Sequence, residues 1–307
     1  MWLKSHKSLI MPLSMILGAL FYNPLSKLPF LIPFGLFCML FIAYSSLNFR
    51  RLRITKTNIV LIICHLILIL GLYFIAKITL GNLLALSVIL CVISPTSASS
   101  SAVVFSLGGS KETCITHIIL DNIFVTIFAP IILSILVPTA DVPIFTSMIK
   151  IFNHIMPLLI LPLVIVIFIR RLKPKITAKI AEYQWTSLIF WSLYLLVIFA
   201  QTTDRIIHCN KEELHQVIIM ATTALIICIF QYIFGNIVGK RLHNQVAVAQ
   251  GLGQKNTSLG IWLANAYSSN PLAIIFSAAY SLWQNIYNSW QMYDYERKQN
   301  KKEIQQK

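Results

Sequence analysis

Ser94-Pro95-Thr96-Ser97-Ala98-Ser99-Ser100-Ser101 and Gln250-Gly251-Leu252-Gly253-Gln254-Lys255-Asn256-Thr257-Ser258 are the two stretches on which the reading of this 307-residue chain turns. Each is polar, and each is flanked on both sides by apolar residues. Proline has no backbone N–H and glycine is a poor helix former, so each stretch is expected to break a helix. Backbone groups freed inside a bilayer cannot face lipid and must line protein or a water-filled cavity. Pro95 and Gln254 lie roughly half a chain apart. A single Ser/Thr run could simply bond back and bend its helix, and small residues also favour close helix packing. A matched pair of breaks in corresponding halves points instead to a binding site.

The composition supports a bilayer. The chain is 57% hydrophobic and 11% charged, against about 25% charged residues in soluble domains. That balance excludes a soluble globular enzyme and a disordered protein. Apolar runs of membrane length are expected near 8–23, 28–48, 57–76, 80–109, 113–136, 146–169, 184–201, 213–238, 243–268 and 271–292. With the N-terminus cytoplasmic, nineteen of the 25 Lys and Arg fall on the cytoplasmic side and five on the other, with Lys255 inside a span. This asymmetry fits ten spans with both termini inside. The net charge of +15 is thereby dispersed over short loops, which argues against a nucleic-acid partner. Trp2, Trp185, Trp283 and Trp290 fall near span ends and read as an interfacial belt.

The fold class expected is an all-α membrane protein: ten transmembrane helices in two inverted five-helix repeats, with helices 4 and 9 broken and crossing. The first repeat covers 1–137 and the second 138–292. A polar cytoplasmic tail, 293–307, is expected to fray into solvent. The first apolar run reads as a retained helix rather than a signal peptide.

Asp121 is the only acid expected inside a span, and Lys255 the only deep base. Each costs about 2.5–3.5 kcal/mol at a helix centre, so the two are expected to approach one another or share a wet cavity. Asn122 and Thr126 could present polar atoms on the same helix, and His117, one turn before Asp121, is a relay candidate. Ser99, Ser100, Ser101, Gln250, Gln254, Asn256 and Thr257 complete the candidate substrate- and ion-binding set. The six cysteines show no paired spacing and read as small apolar residues. No catalytic triad, HExxH or phosphate-loop spacing is present, so no enzyme activity is expected. His208, Cys209, Glu212, Glu213 and His215 match no standard metal spacing.

At the two broken stretches the sequence resembles the bile acid:sodium symporter family. Ser94 to Ser101 is similar to that family's helix 4 motif, Ser-Pro-Gly-Gly-x-Ala-Ser-Asn. Gly251 to Leu259 is similar to its helix 9 motif, Glu-x-Gly-x-Gln-Asn-Ser-Gly-Leu, and the span before Ala129-Pro130 resembles its fifth helix. The resemblance implies the inverted repeats, two helices of each forming a panel and three a core. It also implies a small organic anion as substrate, a coupling cation, Na+ or H+, and no cofactor beyond a Na+ ion. By this alignment Ser100 and Ser101 match sodium ligands. Gly251 stands where a sodium-binding Glu is expected, and Lys255 stands at a Gln that helps bind sodium, as in a divergent branch of the family. A lysine ammonium can take the charge position of Na+ but cannot serve as an oxygen ligand.

The expected function is therefore a secondary active transporter working by alternating access, in a multi-pass protein of a bacterial inner membrane. The alternatives are a facilitative, channel-like pore and a non-transporting membrane sensor.

Overall fold

A computed structural model describes residues 7–46, 53–137, 143–183, 186–268 and 270–305. Trp2, Lys4, Arg50, Arg51, the repeat boundary at 137/138, Trp185 and Lys307 lie wholly or partly outside that range. The described residues are helical and contain no strand, only an isolated bridge between Thr96 and Lys255.

In chain order the helices are α1 Lys7–Leu20, α2 Tyr22–Leu25, α3 Leu31–Ser45, α4 Lys56–Leu80, α5 Asn82–Val92, α6 Ser100–Ser106 and α7 Lys111–Leu136. They continue as α8 Ile144–Leu159, α9 Leu161–Leu172, α10 Pro174–Glu182, α11 Thr186–Ile207, α12 Lys211–Arg241, α13 Gln245–Gly253, α14 Thr257–Tyr267 and α15 Ala273–Gln305. α4, α7 and Glu213–Arg241 of α12 are each long and apolar enough to cross a membrane. α8 and α9 pass together as a bent pair, with 42° between them. The other expected spans are shorter helices, halves on either side of a break, or helices with one polar end.

Local chemistry sets the boundaries. Thr55 and Asn58 form a capping box at the start of α4, and Asn210 with Glu213 does the same for α12. Gly81, at φ 89, turns the chain from α4 into α5, a conformation a side chain would resist. The bend after Leu159 follows Pro157 and precedes Pro162, each of which removes a helical donor. The tail does not leave the fold as a frayed coil: α15 continues to Gln305, with no proline or glycine to stop it and an i,i+4 pair between Lys298 and Asp294 at 2.6 Å. Trp283 turns its indole N–H inward, to the Ala221 carbonyl at 3.0 Å.

The helices sort into two packed groups. α11 packs on α1 and α3, and α9 joins α3, where Arg170 donates to the Ser45 carbonyl at 2.6 Å. The other group holds α4 to α7 and α12 to α15. α14 touches α3 and α15 touches α11 across the seam between the groups. Apolar side chains on α4, among them Ile59, Ile63, Ile67 and Phe74, remain exposed, as a lipid-facing surface requires.

Candidate functional site

Both expected breaks occur. α5 ends at Val92 and α6 begins at Ser100; α13 ends at Gly253 and α14 begins at Thr257. The two unwound segments meet. Ser97 N donates to Gln254 O at 2.9 Å and Asn256 N donates to Pro95 O at 2.7 Å, which makes the short antiparallel bridge at Thr96 and Lys255. Each break thus supplies acceptors for donors that the other has lost, which is how unwound backbone survives away from water.

The remaining freed groups are met by side chains. Gln284 clasps the Lys255 peptide, accepting from Lys255 N at 2.9 Å and donating to Lys255 O at 3.1 Å. Tyr280 donates to the Gly253 carbonyl at 2.7 Å. Gln284→Leu would leave the buried Lys255 N unpaired, at about 1–3 kcal/mol, while Lys255 O keeps its bond from Thr257 N. A fall in unfolding temperature in detergent is the expected result; an unchanged one would mean that the clasp contributes nothing.

The first break is splinted across its gap. In an unbroken helix Thr96 N would donate to Val92 O. Here Thr96 N donates instead to Asp121 Oδ2 at 2.6 Å. Asp121 Oδ1 bonds His65 Nδ1 at 2.7 Å, and His65 Nε2 donates to Val92 O at 2.9 Å. The severed helical bond is replaced by a relay of two side chains from α4 and α7, both 1% exposed or less. Thr96 Oγ1 also lies 2.9 Å from Asp121 Oδ2 and 2.6 Å from the Gly251 carbonyl, which ties the relay to the second break.

Lys255 and Asp121 approach closely enough for their charges to act on one another, but they form no direct ion pair. That place is taken by His65, with His117 Nε2 at 3.9 Å from Oδ2. Lys255 is 1% exposed, and its Nζ has no hydrogen-bond partner among the described residues. His117 is fully buried between Asp121 and the Gly251 backbone. A Cβ at Gly251 would meet His117 Cδ2 at 3.0 Å, so the imidazole fills the space a side chain at 251 would need.

The other expected site residues divide. Gln254 donates to Ser99 Oγ at 2.8 Å, and Ser99 lies 2.8 Å from Ser97 Oγ, so these join the crossing. Asn256 and Thr257 line a small chamber beside Lys255. Ser100 and Ser101 turn their hydroxyls back to the Ser97 and Ala98 carbonyls. Thr126 does the same to Asn122 O, and Asn122 donates to Tyr44 OH at 3.0 Å and to Ile118 O, so neither reaches the crossing. Gln250 points away toward α15, to Asn288 and Gln291. The Ser100 and Ser101 hydroxyls give their protons to their own backbone, and the second break contributes a cationic side chain, which offers no oxygen to a cation. His65 was not among the expected site residues. Its one signal was a polar side chain seven positions after Asn58, on the same face of an apolar helix.

Two cavities follow the seam between the helix groups. The outer one, about 540 Å³, is lined by Pro29, Phe30, Gln201, Arg205, Trp262 and Asn265 among others. The inner one, about 10 Å³, holds Lys255, Asn256 and Thr257 against Leu36, Met39 and Tyr194; that is roughly the room for one water. α3, α11 and α14 contribute to both.

Residues 33–209 match the model of a family described as the sodium bile acid symporter family. The match covers the first break, His65 and Asp121 and ends before the second break. No curated protein matches the chain.

Proposed function

Because this chain belongs to the sodium bile acid symporter family, we propose that it is a secondary transporter that moves a small organic anion by alternating access around its two broken helices. Its spans form two inverted repeats. α1, α3, α4, α5–α6 and α7 make the first; α8–α9, α11, α12, α13–α14 and α15 make the second. In each, the fourth span is the broken one, and an odd number of spans inverts the second repeat. The division of the first repeat supports this arrangement, with α1 and α3 in one packed group and α4, α5–α6 and α7 in the other. Both termini lie in the cytoplasm of a bacterial cell, on the side where the basic loops cluster.

The observation that carries the substrate class is Lys255, buried without a partner at the inner end of the seam. An unpaired buried ammonium is costly, and an organic carboxylate entering from the outer cavity would pair with it. The N-terminus of α14 opens into the same inner chamber at Thr257, and its dipole favours the same charge. The outer cavity is of a size that holds a small organic molecule. Access alternates as the group containing α3 and α11 moves against the crossing, opening the inner chamber to one side and then the other.

Uptake by proteoliposomes against a panel of radiolabelled mono- and dicarboxylates tests this. Saturable uptake with counterflow is expected. Flux that rises without saturation would replace the carrier with a pore, and binding without flux would replace it with a sensor.

A further inference from the structure

The hydrogen-bond geometry of the splint fixes a proton count. Val92 O is a carbonyl and can only accept, so His65 Nε2 carries a hydrogen. A neutral imidazole has one N–H, which would leave Nδ1 a bare acceptor. Nδ1 nevertheless lies 2.7 Å from Asp121 Oδ1, inside hydrogen-bond range. An imidazole lone pair and a carboxylate oxygen repel at that distance. One further proton therefore sits between them, either on Nδ1 of an imidazolium or on Oδ1 of a carboxylic acid. In both assignments the pair is neutral overall.

We propose that His65 and Asp121 bind one exchangeable proton between them, and that this proton is the cation coupled to transport. When it leaves, the pair becomes a neutral imidazole and a carboxylate, with net charge −1. The Nδ1–Oδ1 contact is then repulsive, and the splint opens at its middle. Asp121 keeps its donor from Thr96 N, and the single hydroxyl proton of Thr96 lies between Asp121 Oδ2 and the Gly251 carbonyl of the second break. Proton occupancy is thereby written into the geometry of the crossing. The other ionisable groups that act on Asp121 are His117 of its own helix and Lys255 of the second break; the Cys91 thiol on α5 acts on Lys255. After proton loss the Lys255 ammonium is the buried cation still lacking a partner, and Asp121 is the anion it can answer. A proton and a substrate anion then perform equivalent tasks, each leaving one of the two buried charges compensated.

The proton site stands on the geometry alone; its coupling role rests on the carrier reading above. Asp121→Asn is the sharp variant. Its amide can donate permanently to His65 Nδ1 and accept from Thr96 N, so it mimics the loaded pair and cannot titrate. Infrared difference spectra of the full chain in lipid, taken across a pH titration, should show one carboxyl or imidazole transition in the wild type that is missing in both Asp121→Asn and His65→Gln. Selective 15N-histidine labelling of the wild type reads Nδ1 of His65 directly, should either variant fail to fold. Identical titrations in all three proteins, or an Nδ1 that stays bare at every pH, would overturn the site. In proteoliposomes, Asp121→Asn should lose accumulation of the best carboxylate driven by a proton gradient, at least tenfold. Accumulation driven by Na+ and indifferent to Asp121→Asn would overturn the coupling. No carboxylate movement by the wild type would instead defeat the carrier reading, leaving the spectroscopic result to stand by itself.

Discussion

Lys255→Met should remove at least about 90–99% of carboxylate uptake while leaving the protein as stable as the wild type or more so. The two halves of that result come from the same physical fact. Lys255 is buried and its Nζ makes no hydrogen bond, so the cost of desolvating its charge outweighs the attraction of Asp121 in the empty fold. Methionine keeps the unbranched apolar stem and fills irregular space, while the desolvation cost of the ammonium disappears. The substrate, in contrast, loses a charge-assisted hydrogen bond in a site shielded from water, worth about 1.5–3 kcal/mol. At 1.4 kcal/mol per factor of ten, that is roughly a ten- to hundredfold loss of affinity. Lys255→Arg should rescue it only in part, because a planar guanidinium presents its donors in a different geometry from an ammonium. Uptake kinetics and thermal unfolding on the same preparations decide the matter. Unchanged uptake would remove Lys255 from the substrate path. A lower unfolding temperature would mean that the ammonium has a structural partner.

The residues that made this site legible in sequence are those that violate the rules of their surroundings. Pro95, the Gly251-Leu252-Gly253 stretch that ends α13 and the polar residues after each stand out inside apolar runs, because they weaken a helix. Asp121 and Lys255 stand out for the same reason, as charges where charge is expensive. What did not show was which groups answer which. The spacing of Asn122 and Thr126 places both on one stripe of α7, yet Thr126 bonds back to Asn122 O, an acceptor available to any helical threonine. His65 comes from a helix about 55 residues away in sequence, and only the folded packing of α4 on α7 reveals it as Asp121's partner. The bend between α8 and α9 and the helical tail were readable in principle. Pro157 and Pro162 flank the bend, and the last fifteen residues contain neither proline nor glycine. Hydropathy overrode those local signals, because it registers burial and not backbone geometry.

Gly260→Leu should produce a loss of a different kind, with uptake and stability falling together. Gly260 lies three residues into α14, where that helix leans on α5 beside the crossing. A Cβ at this position would stand 2.8 Å from Ser277 Oγ, 3.2 Å from Cys91 Cα and 3.2 Å from the Leu90 carbonyl. Two of the three obstacles are backbone, so no rotamer change relieves them; α14 itself must move. Overpacking of this sort costs about 1–3 kcal/mol, and a branched side chain in so close a contact belongs at the upper end. The displacement is passed directly to Lys255 and Asn256, which precede α14 and hold the bridge to Pro95 and Thr96. Ser277→Gly clears the nearest of the three atoms, and the double variant should recover part of the unfolding temperature and part of the uptake in parallel. Lys255→Met should gain nothing from the same Ser277→Gly change, because its defect is one of charge and not of shape. A Gly260→Leu protein that unfolds at the wild-type temperature and transports normally would mean that α14 does not need its close seat on α5, and that the crossing is held by its own hydrogen bonds alone.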